Sequence, residues 1–148
     1  MTRIDFYSLE EGSRGDHLLL TCRLVERIYL GAQERHPPMR IHIQISDPTQ
    51  AERLDQLLWS FDDQSFLPHG RLGQTDPELT PILIGEAPLD GHDQVLINLD
   101  PGVPPWFARF ERLCEPLDLD PSRRNAGRER YRYYRDRGYL LHHHKVHL

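Results

Sequence analysis

Apolar positions change their period several times along the chain, and each change marks an element. Residues 3–9 (RIDFYSL) alternate apolar Ile4 and Phe6 with weaker positions as a strand does, and the following EEGSRGD turns the chain. From Asp16 onward, Leu18, Cys22, Val25, Tyr29 and Ala32 recur at helical spacing up to a breaker at His36-Pro37-Pro38. Residues 40–46 (RIHIQIS) return to a period of two, with Ile41, Ile43 and Ile45 on one face. Strand, helix and strand in so short a stretch predict a right-handed crossover and a largely parallel sheet.

Asp47-Pro48-Thr49 opens a second helix whose apolar positions, Ala51, Leu54, Leu57 and Leu58, run to Trp59. Residues 62–81 are rich in Pro and Gly and read as irregular. Two short apolar strands follow, at residues 82–85 and 95–99, joined by the turn-rich APLDGHD. Pro104 and Pro105 start a short helix through Phe110, and residues 112–117 form a fifth strand. A last long helix runs from about Pro121 to Arg137, with Gly138 as its stop. The alternation predicts an α/β fold: one three-layer α/β/α domain over residues 1–148, with a mostly parallel sheet of about five strands.

Composition narrows the chemistry. The chain has 148 residues and two cysteines, Cys22 and Cys114, far apart and without a CxxC pair, so neither a disulfide framework nor a zinc ribbon is expected. That pattern fits a reducing, cytoplasmic setting. No apolar run is long enough for a signal peptide or a membrane span, so neither secretion nor membrane insertion is expected. Of the 18 basic residues only Lys145 is a lysine. A phosphate-binding P-loop needs GxxxxGK[ST], and Schiff-base catalysis needs a pocketed lysine, so both are excluded.

Other candidate motifs read plainly. Gly12-Ser13-Arg14-Gly15 lies where nucleotide-binding α/β proteins cradle phosphate, but it fits neither GxGxxG nor the P-loop and reads as a turn. There is no GxSxG elbow, and Cys22 on an apolar helical face reads as a buried thiol. The LLHHHKVHL end carries His142, His143, His144 and His147 without Cys, Asp or Glu, and reads as a surface tail rather than a metal site. His142 and His144 would share a face in extended form. No catalytic residue, metal ligand or cofactor site is assigned.

Charge is uneven. The formal net charge is −5, yet between Arg123 and Arg137 seven Arg stand against Glu129 and Asp136. Such a chain suits one acidic partner better than general nucleic-acid coating. At 100° per residue Arg124, Arg128, Tyr131, Arg132 and Arg135 fall on one face of the last helix, with Ala126, Arg130 and Tyr133 roughly opposite. The bland reading of that face is solvated charge paired locally, for example Arg132 with Asp136. Trp59 and Phe66 flank the polar turn SFDDQ; a Trp at a helix end is by default core or partial core, and exposed aromatic contact is the other reading.

Two spaced motifs carry a resemblance. AxRLDxxLWxxxxxSFxPH at residues 51–69, and Arg128-Glu129-Arg130-Tyr131-Arg132-x-Tyr134-Arg135-x-x-Gly138, together with Phe6-Tyr7 on the first strand, resemble the chi subunit of the bacterial DNA polymerase III holoenzyme. The similarity spans nearly the whole chain, apart from residues 70–81 and the His-rich end. It implies a non-catalytic clamp-loader accessory protein that pairs with the psi subunit. It also implies a grip on the acidic, Phe-ending C-terminal tail of single-stranded DNA-binding protein. By that resemblance Trp59, Phe66, Pro68 and His69 face psi or an alternative helicase partner, and Arg124, Arg128, Tyr131, Arg132 and Arg135 bind the tail, leaving nucleic-acid contact mainly indirect. An α/β enzyme of nucleotide or phosphoester metabolism, and direct binding of single-stranded DNA by the arginine and tyrosine helix, remain the alternative readings.

Overall fold

The isoleucines of residues 41–45 are buried against helices, and the residues between them, His42 and Gln44, are buried too. A strand covered on both faces is what the centre of a parallel sheet requires. The computed structural model describes residues 1–32, 34 and 38–148. Its strands are β1 (Arg3–Leu9), β2 (Ile41–Gln44), β3 (His69–Arg71), β4 (Ile82–Gly85), β5 (Val95–Asn98), β6 (Arg112–Leu117) and β7 (Leu141–Val146). They form one sheet in the order β3-β4-β2-β5-β6-β1-β7, with every pairing parallel.

Helices α1 (His17–Gly31) and α2 (Pro48–Ser60) cover one face, where Leu20, Val25, Leu54 and Leu58 pack on Ile41, Ile43, Ile84 and Ile97. Helix α3 (Pro121–Asp136) and a 3-10 turn at Phe107–Arg109 cover the other, where Tyr134, Phe107 and Phe110 pack on Ile4, Phe6, Leu96 and Leu113. The expected three layers are therefore present. Each α-helix begins at an Asp, namely Asp16, Asp47 or Asp120, whose carboxylate accepts from the first free backbone N–H groups. Such a cap contributes about 1 kcal/mol. Pro48 and Pro121 occupy the first turns, where a missing N–H costs nothing.

Seven strands replace the expected five. Strand β3 lies inside the region read as irregular; only three residues long, it has no apolar run and is held by pairing with β4. Strand β7 is the segment read as a surface tail. It pairs with β1 from Ile4↔Leu141 to Leu9↔Val146, and its polar composition suits an edge strand that is half in water. Helix α1 ends at Gly31 with Ala32 as its cap, earlier than the expected breaker, of which His36 and Pro37 lie outside the described residues. Among the described residues no helix is long and apolar enough to cross a membrane.

Candidate functional site

A groove runs between α3 and the β1/β7 edge of the sheet. Phe6 and Ser8 of β1 and Leu117 of β6 contribute from the sheet, joined by His143 of β7, while Arg124, Gly127, Arg128 and Tyr131 line it from α3. The groove is open to solvent with a volume of about 250 Å³, and no acidic side chain lines it. Tyr131 meets Phe6 edge to face at 5.2 Å between ring centroids, which gives the cavity an aromatic wall. Gly127 faces β6 closely: a Cβ there would come within 2.7 Å of Leu117 Cδ2, so any larger residue would have to push the Leu117 side chain aside.

The helix is held in place by a buried polar network. Glu115 is fully buried on β6, and Arg130 donates from Nε to its Oε1 at 3.0 Å and from Nη1 to the Pro101 carbonyl at 2.8 Å. Tyr134 donates its hydroxyl to Glu115 Oε2 at 2.7 Å, and Asn98 Nδ2 donates to both carboxylate oxygens. Burial pushes the Glu115 carboxyl up; the Arg130 guanidinium and the Tyr134 and Asn98 donors oppose it. The same burial drives the Tyr134 phenol up, so it remains a donor.

The α3 residues singled out in the sequence have different surroundings. Arg124 donates from Nε to the Asp118 carbonyl and from Nη2 to the Leu9 carbonyl, each at 2.7 Å, so it ties the ends of β1 and β6 to α3 while lining the groove. Arg128 is exposed and bonded only through Nη1 to Asn125 Oδ1 at 2.7 Å, with no carboxylate partner among the described residues. Arg132 and Arg135 stay outside the groove. Arg132 pairs with Glu129 at 2.9 Å rather than with the expected Asp136, which instead takes Arg135 at 3.3 Å. Ser8, Leu117, Gly127 and His143 were missed as groove residues, because their meeting depends on the pairing of β1 with β6 and β7. The one usable signal was the Phe6-Tyr7 pair.

A second surface lies toward the opposite edge. Trp59 at the end of α2 is 55% exposed and Phe66 is 70% exposed, with ring centroids 6.0 Å apart. The core reading of these two rings is therefore set aside. His69 is different: its ring is buried beneath Trp59 at 4.4 Å, with Nδ1 2.7 Å from the Leu67 carbonyl and Nε2 2.9 Å from the Asp55 carbonyl. It supports the patch from below, and Pro68 beside it is half-buried.

The turn at Gly12-Ser13-Arg14-Gly15 spends two of its backbone donors on the protein itself. Ser13 N donates to the Glu10 carbonyl and Arg14 N to the Leu148 carbonyl. The first N–H groups of α1 are taken by Asp118, at His17, and by Asp16, at Leu18 and Leu19. Beside them His17, Asn98 and Arg123 line about 120 Å³, room for a few waters at ~30 Å³ each. Cys22 and Cys114 are buried and free, and burial pushes both thiols up to about 12. Among the described residues no group of three or more His, Cys, Asp or Glu is placed to hold a metal. Within the His-rich strand, His144 is engaged by Asp5 at 2.8 Å and stacked on Tyr7.

Fold and site define a parallel α/β domain whose helix N-termini are filled by its own carboxylates and whose open features are a cationic groove and an aromatic patch. The sequence matches the family described as DNA polymerase III chi subunit, HolC, over residues 1–142, and the chain belongs to that family. The chi subunit of Pseudomonas aeruginosa is 34% identical over 147 residues, covering 99% of this chain and 98% of its own. The chi subunit of Escherichia coli K12 is 28% identical over 143 residues, covering 95% and 96%. Among solved structures, domain 2 of the Mss116p DEAD-box helicase bound to an RNA duplex superposes with a TM-score of 0.58 at 13% identity. That match covers 98% of this chain and 64% of the other, and shows the fold alone. As a chi subunit the chain is a non-catalytic accessory of DNA polymerase III and acts in DNA replication.

Proposed function

We propose that this chi subunit holds the acidic, Phe-ending C-terminal tail of single-stranded DNA-binding protein in the groove of α3, and the psi subunit of the clamp loader on the patch of Trp59 and Phe66. The observation that carries the reading is the groove's lining: an aromatic and aliphatic floor with Arg124 and Arg128 beside it and no acidic residue. A terminal Phe ring fits the floor, and the Arg128 guanidinium, held by Asn125 through Nη1 alone, keeps its other N–H groups for a carboxylate. Arg132 and Arg135, farther along the exposed face, supply steering charge to the acidic residues ahead of the Phe. The patch supplies rigid exposed aromatics of the kind that dominate protein interfaces, supported by His69 and flanked by Pro68; a helicase is the alternative partner there. Groove and patch lie toward opposite edges of the sheet, so two partners can be held at once and the polymerase linked to coated template.

Capture of full-length single-stranded DNA-binding protein from native lysate tests this. Recovery is expected with the wild-type chain, and loss is expected both with Arg128→Ala and when the binding protein lacks its C-terminal tail. Equal recovery of the tail-less protein would contradict the groove assignment. Recovery that depends on added single-stranded DNA would favour direct nucleic-acid binding.

A further inference from the structure

Strand β7 is at once a rim of the groove and an edge of the sheet. Its inner side pairs with β1 from Ile4↔Leu141 to Leu9↔Val146 without a proline or a bulge, and among the described residues no strand pairs with its outer side. The Val146 carbonyl accepts the N–H of Glu10, so this residue turns its main-chain groups inward. Alternation along a strand then turns those of His144 and His142 inward as well, and leaves the N–H and C=O groups of His143 and Lys145 pointing outward. Unpaired groups of this kind are a template for a further strand.

The same two residues turn their side chains toward α3. His143 lines the groove, with Nε2 2.9 Å from Ser8 Oγ, and Lys145 follows on that side, opposite Ser8 in the register. Both are exposed. No acidic residue occurs from Tyr139 to Leu148, and Arg124 and Arg128 stand across the groove on α3. A lysine on this edge repels a second copy of β7 and attracts an acidic strand.

We propose that β7 takes up the acidic residues ahead of the terminal Phe as an eighth strand of the sheet. The Phe ring enters the groove while the segment before it, extended, pairs its main chain with the outward N–H and C=O groups of His143 and Lys145. The proposal rests on the groove being the acidic-peptide site. Lys145 on the strand and Arg128 across the groove then flank the peptide's carboxylates. The peptide's own backbone supplies part of the affinity, which charge and the Phe ring alone would not require.

Amide hydrogen exchange followed by NMR tests this, with and without a saturating, short Asp-rich peptide that ends in Phe with a free carboxylate. The amides of His142 and His144 are expected to be protected in both states, and those of His143 and Lys145 to gain at least about tenfold in protection once the peptide is bound. Two N-methylated versions of the peptide, modified on alternate sets of residues ahead of the Phe, give a second readout. One set removes the N–H groups that face β7 and should weaken binding at least about tenfold, while the other should bind within about twofold of the parent. Unchanged exchange at His143 and Lys145 under saturating peptide, or equal affinity of the two N-methylated peptides, would overturn the proposal while leaving the groove as the peptide site. Failure of the unmodified peptide to bind would remove the groove reading, and this proposal with it.

Discussion

The carboxylate of Asp118 accepts the backbone N–H of His17 at 3.0 Å, linking the end of β6 to the first turn of α1. In nucleotide-binding α/β proteins the corresponding helix N-terminus is where a phosphate is held. Here Asp118 and the cap residue Asp16 fill that role with the protein's own negative charge, and Arg123 closes around Asp118 at 2.7 Å. The fold keeps its stability at this point by giving up the anion site.

Titration of the chain with ATP and Mg²⁺ should accordingly give no heat of binding up to about millimolar nucleotide, weaker than about −4 kcal/mol. Micromolar binding would mean that Asp118 and Asp16 are displaced, and would favour a nucleotide enzyme.

The aromatic patch divides into a contact residue and a support. Phe66→Ala should leave the melting temperature unchanged, since the ring is 70% exposed, while weakening psi association by about 2 kcal/mol. His69→Ala should lower the melting temperature, because it strips a buried ring from beneath Trp59 and removes the ring nitrogens that lie against the Leu67 and Asp55 carbonyls. Thermal melts and binding curves of the two variants, side by side, check this; a large stability loss in Phe66→Ala would restore the core reading.

The Glu115–Arg130 pair should be costly to break from one side. Arg130→Ala leaves a carboxylate buried with only Tyr134 and Asn98 as donors, and should cost about 3 kcal/mol or more in urea unfolding. Tyr134→Phe removes one of those donors and should cost about 1 to 2 kcal/mol. Replacing both charges, Glu115→Gln with Arg130→Met, should be less damaging than Arg130→Ala alone, and the reverse ranking would show that the ion pair is not the anchor of α3.

Stability should fall with acid in two stages. Burial lowers the His42 ring from 6.5 to about 4, and it stays neutral with Nε2 facing Gln44. The Asp118 carboxyl, although burial pushes it up, is held at about 2 by Arg123 and by the N–H groups of His17 and Asp120. Both folded values lie below the unfolded ones, so the unfolded chain binds protons first and stability is lost as the pH drops. The His42 stage spans 6.5 to about 4, and the Asp118 stage follows from 3.8 to about 2. Between pH 7 and pH 4.5 the His42 stage alone should remove about 2 kcal/mol in urea unfolding. His42→Gln should flatten that slope; a curve already flat in wild type would contradict it.

The parts of the fold legible in the sequence were those fixed locally. Asp47-Pro48 and Pro121 mark helix starts through cap chemistry, and Ile41, Ile43 and Ile45 mark a strand through their period. Strands β3 and β7 were not legible, because HGR and LHHHKV become strands only through the neighbours that pair with them. The site shows the same division. Helical spacing separated Arg130 from Arg128, but only Glu115, buried on β6, makes one an anchor and leaves the other open. Spacing also could not show that Arg124 turns to two backbone carbonyls, or that Arg132 prefers Glu129.

Calorimetric titration of an acidic, Phe-ending peptide into the chain tests the groove most directly. Binding is expected to weaken with salt, to drop at least about tenfold, or 1.4 kcal/mol, in Arg128→Ala, and to drop as much again when the terminal Phe is deleted. Equal affinity for the peptide without its Phe, or tighter binding to oligo-dT than to the peptide, would contradict the account.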